Sequence, residues 1–247
     1  MDDHELARQL ADEAGAELLR LRAERGFADP AGLRDEADQL SHRLLVKRLA
    51  ETRPGEAVLS EEGKDDPARL DSGRVWIVDP LDGTREYGED GRVDWAVHVA
   101  LWQGDLVAGA VALPGQGLTL ATDDPPPPPA RHDGPVRLAV SRSRATELVT
   151  KVADRLGAEL VPMGSAGAKA SAVVRGQVDA YVHSGGQYEW DSAAPVVVAK
   201  AASVFTSRLD GSPLTYNRAD PWLPDLVVCR ADLAEAVLAA IAKATGS

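Results

Sequence analysis

The sequence predicts an α/β protein in two halves: an α+β half built on an antiparallel sheet, then a half in which strands and helices alternate. Three observations predict it. Leucines at helical spacing open the chain, short strands separated by glycine turns follow, and beyond a run of prolines the pattern becomes strand and helix by turns.

In the opening segment, Leu6, Leu10, Leu18 and Leu21, then Leu40, Leu44, Leu45 and Leu49, fall near a 3.6-residue period and predict two amphipathic helices. "AVLSEE" and "RVWIVDP" read as short strands ending in polar clusters. "WAVHVALWQGDLVAGAVALPGQGLTLAT" reads as three antiparallel strands with turns at residues 103–105 and 115–117. The five prolines of "DDPPPPPARHDGP" exclude sheet and helix. That stretch is an exposed loop, either dividing the chain into halves 1–132 and 133–247 or lying within one domain. Beyond it come strand "VRLAVS", a helix from about Thr146, strand "ELVPM", helix "AGAKASAVVRG" and strand "DAYVHS". A helix near Asp191, strand "DLVVC" and helix "ADLAEAVLAAIAKA" complete the series, with no internal repeat.

Composition narrows the function classes. Of 247 residues, 44% are hydrophobic, ample for a core, yet no run approaches the ~18 to 20 apolar residues of a membrane span. The acidic N-terminus has no basic region and no apolar stretch, so a soluble, cytoplasmic protein is expected. Cys229 is the single cysteine, which excludes an internal disulfide and a thiolate zinc cluster. A net charge of -12 argues against nucleic-acid and anionic-membrane surfaces. A small anionic substrate remains compatible, provided that side chains or a metal supply local positive charge.

The chemistry concentrates in carboxylates: Asp38 in "RDEADQL", Glu61 and Glu62 in "LSEEGKDD", Asp79 and Asp82 in "VWIVDPLDGT", and Asp191 in "YEWDSAAP", all placed at strand or helix ends. For Glu62, Asp65 and Asp66 solvation at the surface is the ordinary explanation. It fails for Asp79 and Asp82, because Trp76, Ile77 and Val78 anchor their strand in a core and deliver both acids to its end. Unpaired, they would repel each other and suffer desolvation. A hard divalent cation such as Mg²⁺ relieves both. The five fixed positions of D-P-x-D-G-T arise by chance in a chain of this length at odds of about 10⁻⁴. If Gly83 and Thr84 begin a helical turn, their amides face a phosphate. Haloacid-dehalogenase-type phosphatases also set an apolar strand before "D-x-D-G-T", but there the aspartates stand at i and i+2. Here they stand at i and i+3 across a proline, which favours a metal cage over an aspartate nucleophile.

The ordered set "SEE", "WIVDPLDGT" and "WDSAAP" resembles the inositol monophosphatase superfamily of metal-dependent, lithium-sensitive phosphatases. "DPLDGTREY", "VSRSR", "GSAGAKASAV" and "GGQYEWDSAAP" look most like its 3′(2′),5′-bisphosphate nucleotidases, which act on 3′-phosphoadenosine 5′-phosphate and its sulfated relative. The resemblance implies a layered αβαβα sugar-phosphatase fold with the site in a cleft between the halves. It further implies one Mg²⁺ on Glu61, Asp79 and the Leu81 carbonyl, a second on Asp79, Asp82 and Asp191, and a weaker third leaning on Glu61. By the same resemblance Thr84 orients the attacking water and is itself oriented by Asp38. Where the family commonly shows V-T-x-x-D after a lysine, this chain has "GLRDEAD", which leaves Asp35 as a competing partner for Thr84, or as a helix N-terminal acid favoured by the dipole.

On the substrate side, Arg142, Arg144 and Lys169 are candidates for a second phosphate, with surface solvation as the alternative. Ser141 and Ser165 either contact substrate or cap helices. Glu189 is a candidate for a substrate hydroxyl and Tyr188 for stacking on adenine. His98 and His183 read as satisfied core histidines, and Trp95, Trp102 and Trp222 as packing residues. The expected partner is a small phosphorylated nucleotide or sugar, with a homodimer left open. Inositol-1-phosphate and fructose-1,6-bisphosphate are alternative substrates, and a catalytically silent metal- or nucleotide-binding regulator is the alternative of another class.

Overall fold

The computed structural model describes residues 1–131, 133–142 and 145–246. Two long helices, α1 (Asp3–Arg25) and α2 (Pro30–Thr52), open the chain, capped by Asp2 and Asp29. They cover one face of a five-stranded sheet ordered β1 (Ala57–Ser60), β2 (Val75–Asp82), β3 (Ala96–Trp102), β4 (Leu106–Leu113) and β5 (Leu118–Ala121). Only β1 and β2 pair in parallel; the rest are antiparallel, as the glycine turns require. The four-residue helix α3 (Thr84–Tyr87) follows β2 directly.

The second sheet is mixed and ordered β7 (Glu159–Met163), β6 (Arg137–Ser141), β8 (Ala180–Tyr188), β10 (Trp222–Cys229) and β9 (Phe205–Ser207). Its helices are α4 (Glu147–Leu156), α5 (Ala166–Val174), α6 (Glu189–Ala201) and α7 (Ala234–Thr245). The three-residue β9 is too short to show alternation in the sequence. Because β10 runs antiparallel to both its neighbours, this half is not the purely parallel arrangement that alternating strands and helices suggest.

Burial defines the layers. Trp76 and Val78 of β2 join Leu6, Leu10, Leu18 and Leu45 beneath α1 and α2. Val75 and Ile77, on the opposite face of the same strand, join a central cluster with Val173 of α5, Val196 and Val198 of α6, and Tyr181 and Leu226 of the second sheet. Val152 of α4 and Val237 and Ile241 of α7 close the outer face of that sheet. The order is therefore α1 and α2, first sheet, α5 and α6, second sheet, α4 and α7: an αβαβα sandwich. Among the described residues no helix is long and apolar enough to cross a membrane.

Candidate active site

β2 is buried along its whole length and hydrogen-bonded on both edges, to β1 and to β3, so its end is fixed in space. The strand runs through Asp82 rather than stopping at Asp79. Asp79 stands opposite His98 and Asp82 opposite Ala96, so three steps along β2 match two along β3. Pro80 sits in this bulge, where its missing N–H leaves no ladder bond unmade. Its carbonyl accepts from Ser41 Oγ at 2.7 Å, and the Leu81 amide donates to Asp79 Oδ1 at 3.0 Å.

Asp191 arrives from the other half. It lies in the first turn of α6, and its Oδ2 accepts from the Tyr188 amide at 2.6 Å. Oxygens of Asp79, Asp82 and Asp191 all lie within 4.8 Å of one another. Asp82 is held from behind by the start of α5, accepting from the Ala166 amide at 3.2 Å and from Gly167 at 2.6 Å. His98 Nε2 stands 3.2 Å from Asp82 Oδ2, while its Nδ1 lies 3.0 Å from the Trp190 carbonyl. A side chain at position 167 would collide with the His98 ring, so glycine is required where α5 meets Asp82.

The electrostatics diagnose the site. Burial, then the charges of Glu61, Asp82 and Asp191, drives the Asp79 carboxyl well above its usual range. Glu61 is pushed up to about 7 by burial and by Asp191 and Asp82, although a hydrogen bond with Asp79 acts against this. Asp191 is pushed up to about 6 by burial and Asp82. Asp82 alone falls below its usual value: burial pushes it up, but His98 and the Gly167 amide more than offset this. Carboxylates packed this closely, three of them still raised although His98 and Lys169 act the other way on Asp82 and Asp191, fit an all-oxygen divalent-cation site, in which a cation would replace the retained protons.

Thr84 stands beside this cluster. Its Oγ is 3.1 Å from the Leu81 carbonyl and 3.5 Å from Asp38 Oδ1. α2 begins at Pro30, so Asp35 and Asp38 both lie inside the helix, not at its end as the sequence suggested. Three residues apart they point about 60° from each other around the axis, on adjoining parts of one side of the helix. Asp38 faces Thr84 while Asp35 is exposed. Burial, Glu62, Glu61 and Asp35 push the Asp38 carboxyl to about 7. Gly83, at φ 87°, turns the chain from β2 into α3; a Cβ there would lie 2.8 Å from that of Ser165.

A cavity of about 590 Å³ opens over these groups, with Glu61, Asp82, Gly83, Ser141, Ser165 and Lys169 in its wall. Ser165 is the N-cap of α5, accepting from the Ala168 amide at 2.8 Å. Lys169 is buried; its Nζ donates to the Gly164 carbonyl and, at 2.8 Å, to that of Ser165. Arg142 binds Glu86 Oε1 at 2.7 Å and Glu89 Oε1 at 3.0 Å, and Arg144 lies outside the described residues. Tyr188, 45% exposed, lies at the cavity rim stacked on Trp190, with centroids 4.7 Å apart.

Two expectations need correction. Glu189 does not reach the cavity: it is fully buried, and its two oxygens accept from the amides of Asn217 and Arg218 at 2.7 and 2.8 Å. His98 is more than a core histidine, since it backs Asp82. Trp222 packs its ring over Gly186 at the surface, 44% exposed. The signal for His98 was present: it is the one polar residue of β3 and shares a strand face with Ala96 and Ala100, which point to the central layer.

Comparison with known proteins shows the family and the fold. A model described as the inositol monophosphatase family matches residues 4–245. The chain is 50% identical, over 98% of its length and 94% of the relative's, to a protein of Mycobacterium leprae named 3′-phosphoadenosine 5′-phosphate phosphatase. A protein of the same name from Mycobacterium bovis is 52% identical over 94% of this chain and 90% of its own. Among solved structures, CysQ from Bacteroides thetaiotaomicron, described as a bacterial member of the inositol monophosphatase family, superposes with a TM-score of 0.76 at 28% identity, covering 92% of this chain and 97% of its own.

Proposed function

The chain belongs to the inositol monophosphatase family, and on that premise we propose that it hydrolyses the 3′-phosphate of 3′-phosphoadenosine 5′-phosphate or of 3′-phosphoadenylyl sulfate, using water and forming no covalent phosphoenzyme. The observation that carries the reaction is the convergence of Asp79, Asp82 and Asp191, the last two in the wall of an open cavity, beside Thr84 and Asp38. The substrate follows from the relatives of that name at half identity over nearly the whole chain.

The donor set suits Mg²⁺: hard carboxylate oxygens of Asp79, Asp82, Asp191 and Glu61, with the Leu81 carbonyl, and two or three ions to the site. Bound there, magnesium would offset charge on the transferring phosphoryl group and make water a stronger nucleophile. The chain's own residues supply order. The Thr84 hydroxyl has one proton and two acceptors within reach, Leu81 and Asp38. With the Leu81 carbonyl engaged elsewhere that proton goes to Asp38, and the hydroxyl oxygen is left to accept from the attacking water. Gly83 and Thr84, at the start of α3, turn their amides toward the phosphate.

For the second phosphate, Lys169 is the stronger candidate. It is already desolvated in the cavity wall, whereas Arg142 would have to release two carboxylates. Ser141 and the backbone at Ser165 lie beside it.

The test compares kcat/KM for 3′-phosphoadenosine 5′-phosphate, inositol-1-phosphate and fructose-1,6-bisphosphate. The nucleotide is expected to be preferred; a large preference for the inositol ester would sink the substrate assignment. Asp82→Asn should abolish turnover at ordinary magnesium with the fold intact, and retained activity would remove the metal assignment.

A further inference from the structure

Outside the cavity, a buried guanidinium with four side-chain hydrogen bonds ties the two halves of the site together. Arg69 lies in a short 3-10 turn, Pro67–Asp71, just beyond the loop that carries Glu61, and is 2% exposed. Its guanidinium grips Asp65 of that loop with two bonds, Nε to Oδ1 at 2.6 Å and Nη2 to Oδ2 at 3.0 Å. The remaining donors cross to the other half: Nη1 to Asn217 Oδ1 at 2.6 Å and Nη2 to the Arg218 carbonyl at 2.8 Å. The amides of the same two residues donate to Glu189, the first residue of α6. Asn217 thus links both sides, by its side chain to Arg69 and by its amide to Glu189, from a left-handed backbone at φ 60°.

α6 needs such an external hold. Pro195 lies inside it, four residues after Asp191, and has no N–H to give the Asp191 carbonyl. The helix's own ladder is therefore broken at the turn that carries the metal-site carboxylate. Besides its own cap, the Tyr188 amide on Asp191, and the His98 ring at the Trp190 carbonyl, the turn is held from outside: the Glu189 amide donates to the Pro221 carbonyl at 2.9 Å, and the Glu189 carboxylate holds the 217–218 amides.

We propose that Arg69, Asn217 and Glu189 form a positioning chain that sets the first turn of α6, and hence Asp191, against the Glu61 loop. None of the three touches substrate or metal. The inference rests on the metal-hydrolase reading above. Its elements are charge-assisted bonds to a desolvated guanidinium and a desolvated carboxylate, which are strong and directional. Residues that hold metal ligands in place typically change metal affinity by about 10- to 100-fold when removed.

The decisive variant is Asn217→Gly. Glycine is at home at φ 60°, so the backbone is kept and strain relieved, while the acceptor for Arg69 is deleted. The probe is Mn²⁺ alone, its free concentration read by electron paramagnetic resonance at a temperature where circular dichroism shows the protein folded. Asn217→Gly and Arg69→Met should each weaken Mn²⁺ binding about 10-fold or more and lower kcat more than they raise KM for the nucleotide. Arg69→Lys should not rescue, because an ammonium cannot make the fork. Unchanged Mn²⁺ affinity in Asn217→Gly overturns the positioning role, whatever the fate of the Arg69 variants. A parent protein that binds no Mn²⁺ overturns the metal assignment and this role with it, whereas a parent that binds no more tightly than the variant overturns this role alone.

Discussion

His98 Nε2 lies 3.2 Å from Asp82 Oδ2, the imidazole wholly buried and the carboxylate buried except toward the cavity. With the Ala166 and Gly167 amides on its other side, Asp82 has only its cavity-facing lone pairs left to offer. On the metal-site reading proposed above, a ligand held from behind in this way would be aimed before a metal arrives.

Replacing His98 should therefore act through the metal. His98→Leu keeps an apolar filling but removes the contact, and the magnesium concentration needed for half-maximal activity should rise about 10- to 100-fold. His98→Gln, which restores a donor at similar reach, should recover part of the loss. A magnesium titration of the two variants decides it; equal curves for His98→Leu and the parent would show that the amides of α5 suffice.

The crowded carboxylates also predict how the metal-free protein responds to pH. Asp79 is raised well above its ordinary value, Glu61 and Asp38 to about 7, and Asp191 to about 6, against about 4 in an unfolded chain. The folded state then holds more protons than the unfolded one between these limits, and stability falls as pH rises from about 4 to about 7. Saturating magnesium replaces those protons. Urea midpoints measured with chelator and with excess magnesium should diverge as pH climbs from 5 to 8, with the chelated protein the weaker. A gap that stays constant or narrows would contradict the electrostatic account.

Gly83 joins two constraints, a φ of 87° and a neighbour 2.8 Å from where a Cβ would stand. Gly83→Ala should cost about 1 to 3 kcal/mol of stability from the backbone alone. It should also displace Thr84 relative to Asp38, lowering kcat by an order of magnitude or more. Thermal unfolding and steady-state kinetics on the same preparation separate the two effects.

Much of the site was legible in the sequence because its chemistry is contiguous there. Asp79, Leu81, Asp82, Gly83 and Thr84 occupy six positions whose spacing already distinguishes a metal cage from a nucleophile. The choice between Asp35 and Asp38 was not legible, because residues three apart lie on the same side of a helix and only the packing of α2 against the site shows which one faces Thr84. Arg69 and Glu189 were invisible for another reason. A buried ionic residue is identified by its partner, and Arg69 meets Asn217 148 positions away. Glu189 read as a candidate for a substrate hydroxyl because the amides that hold it belong to a loop with no periodic signal. The mixed order of the second sheet also escaped, since alternation of strand and helix says nothing about the direction in which β10 inserts.

The placement of α5 and α6 between two sheets has a bearing on how such a protein can be altered. A helix walled on both sides has no solvent face on which a changed side chain can be absorbed, so the scaffold behind Asp82 and Asp191 is a poor place to seek new selectivity. The cavity rim is different. Tyr188 and Thr146 lie at element ends with solvent beside them, where shape can change while the carboxylates stay put. Redesign of this enzyme for another phosphate ester belongs at that rim.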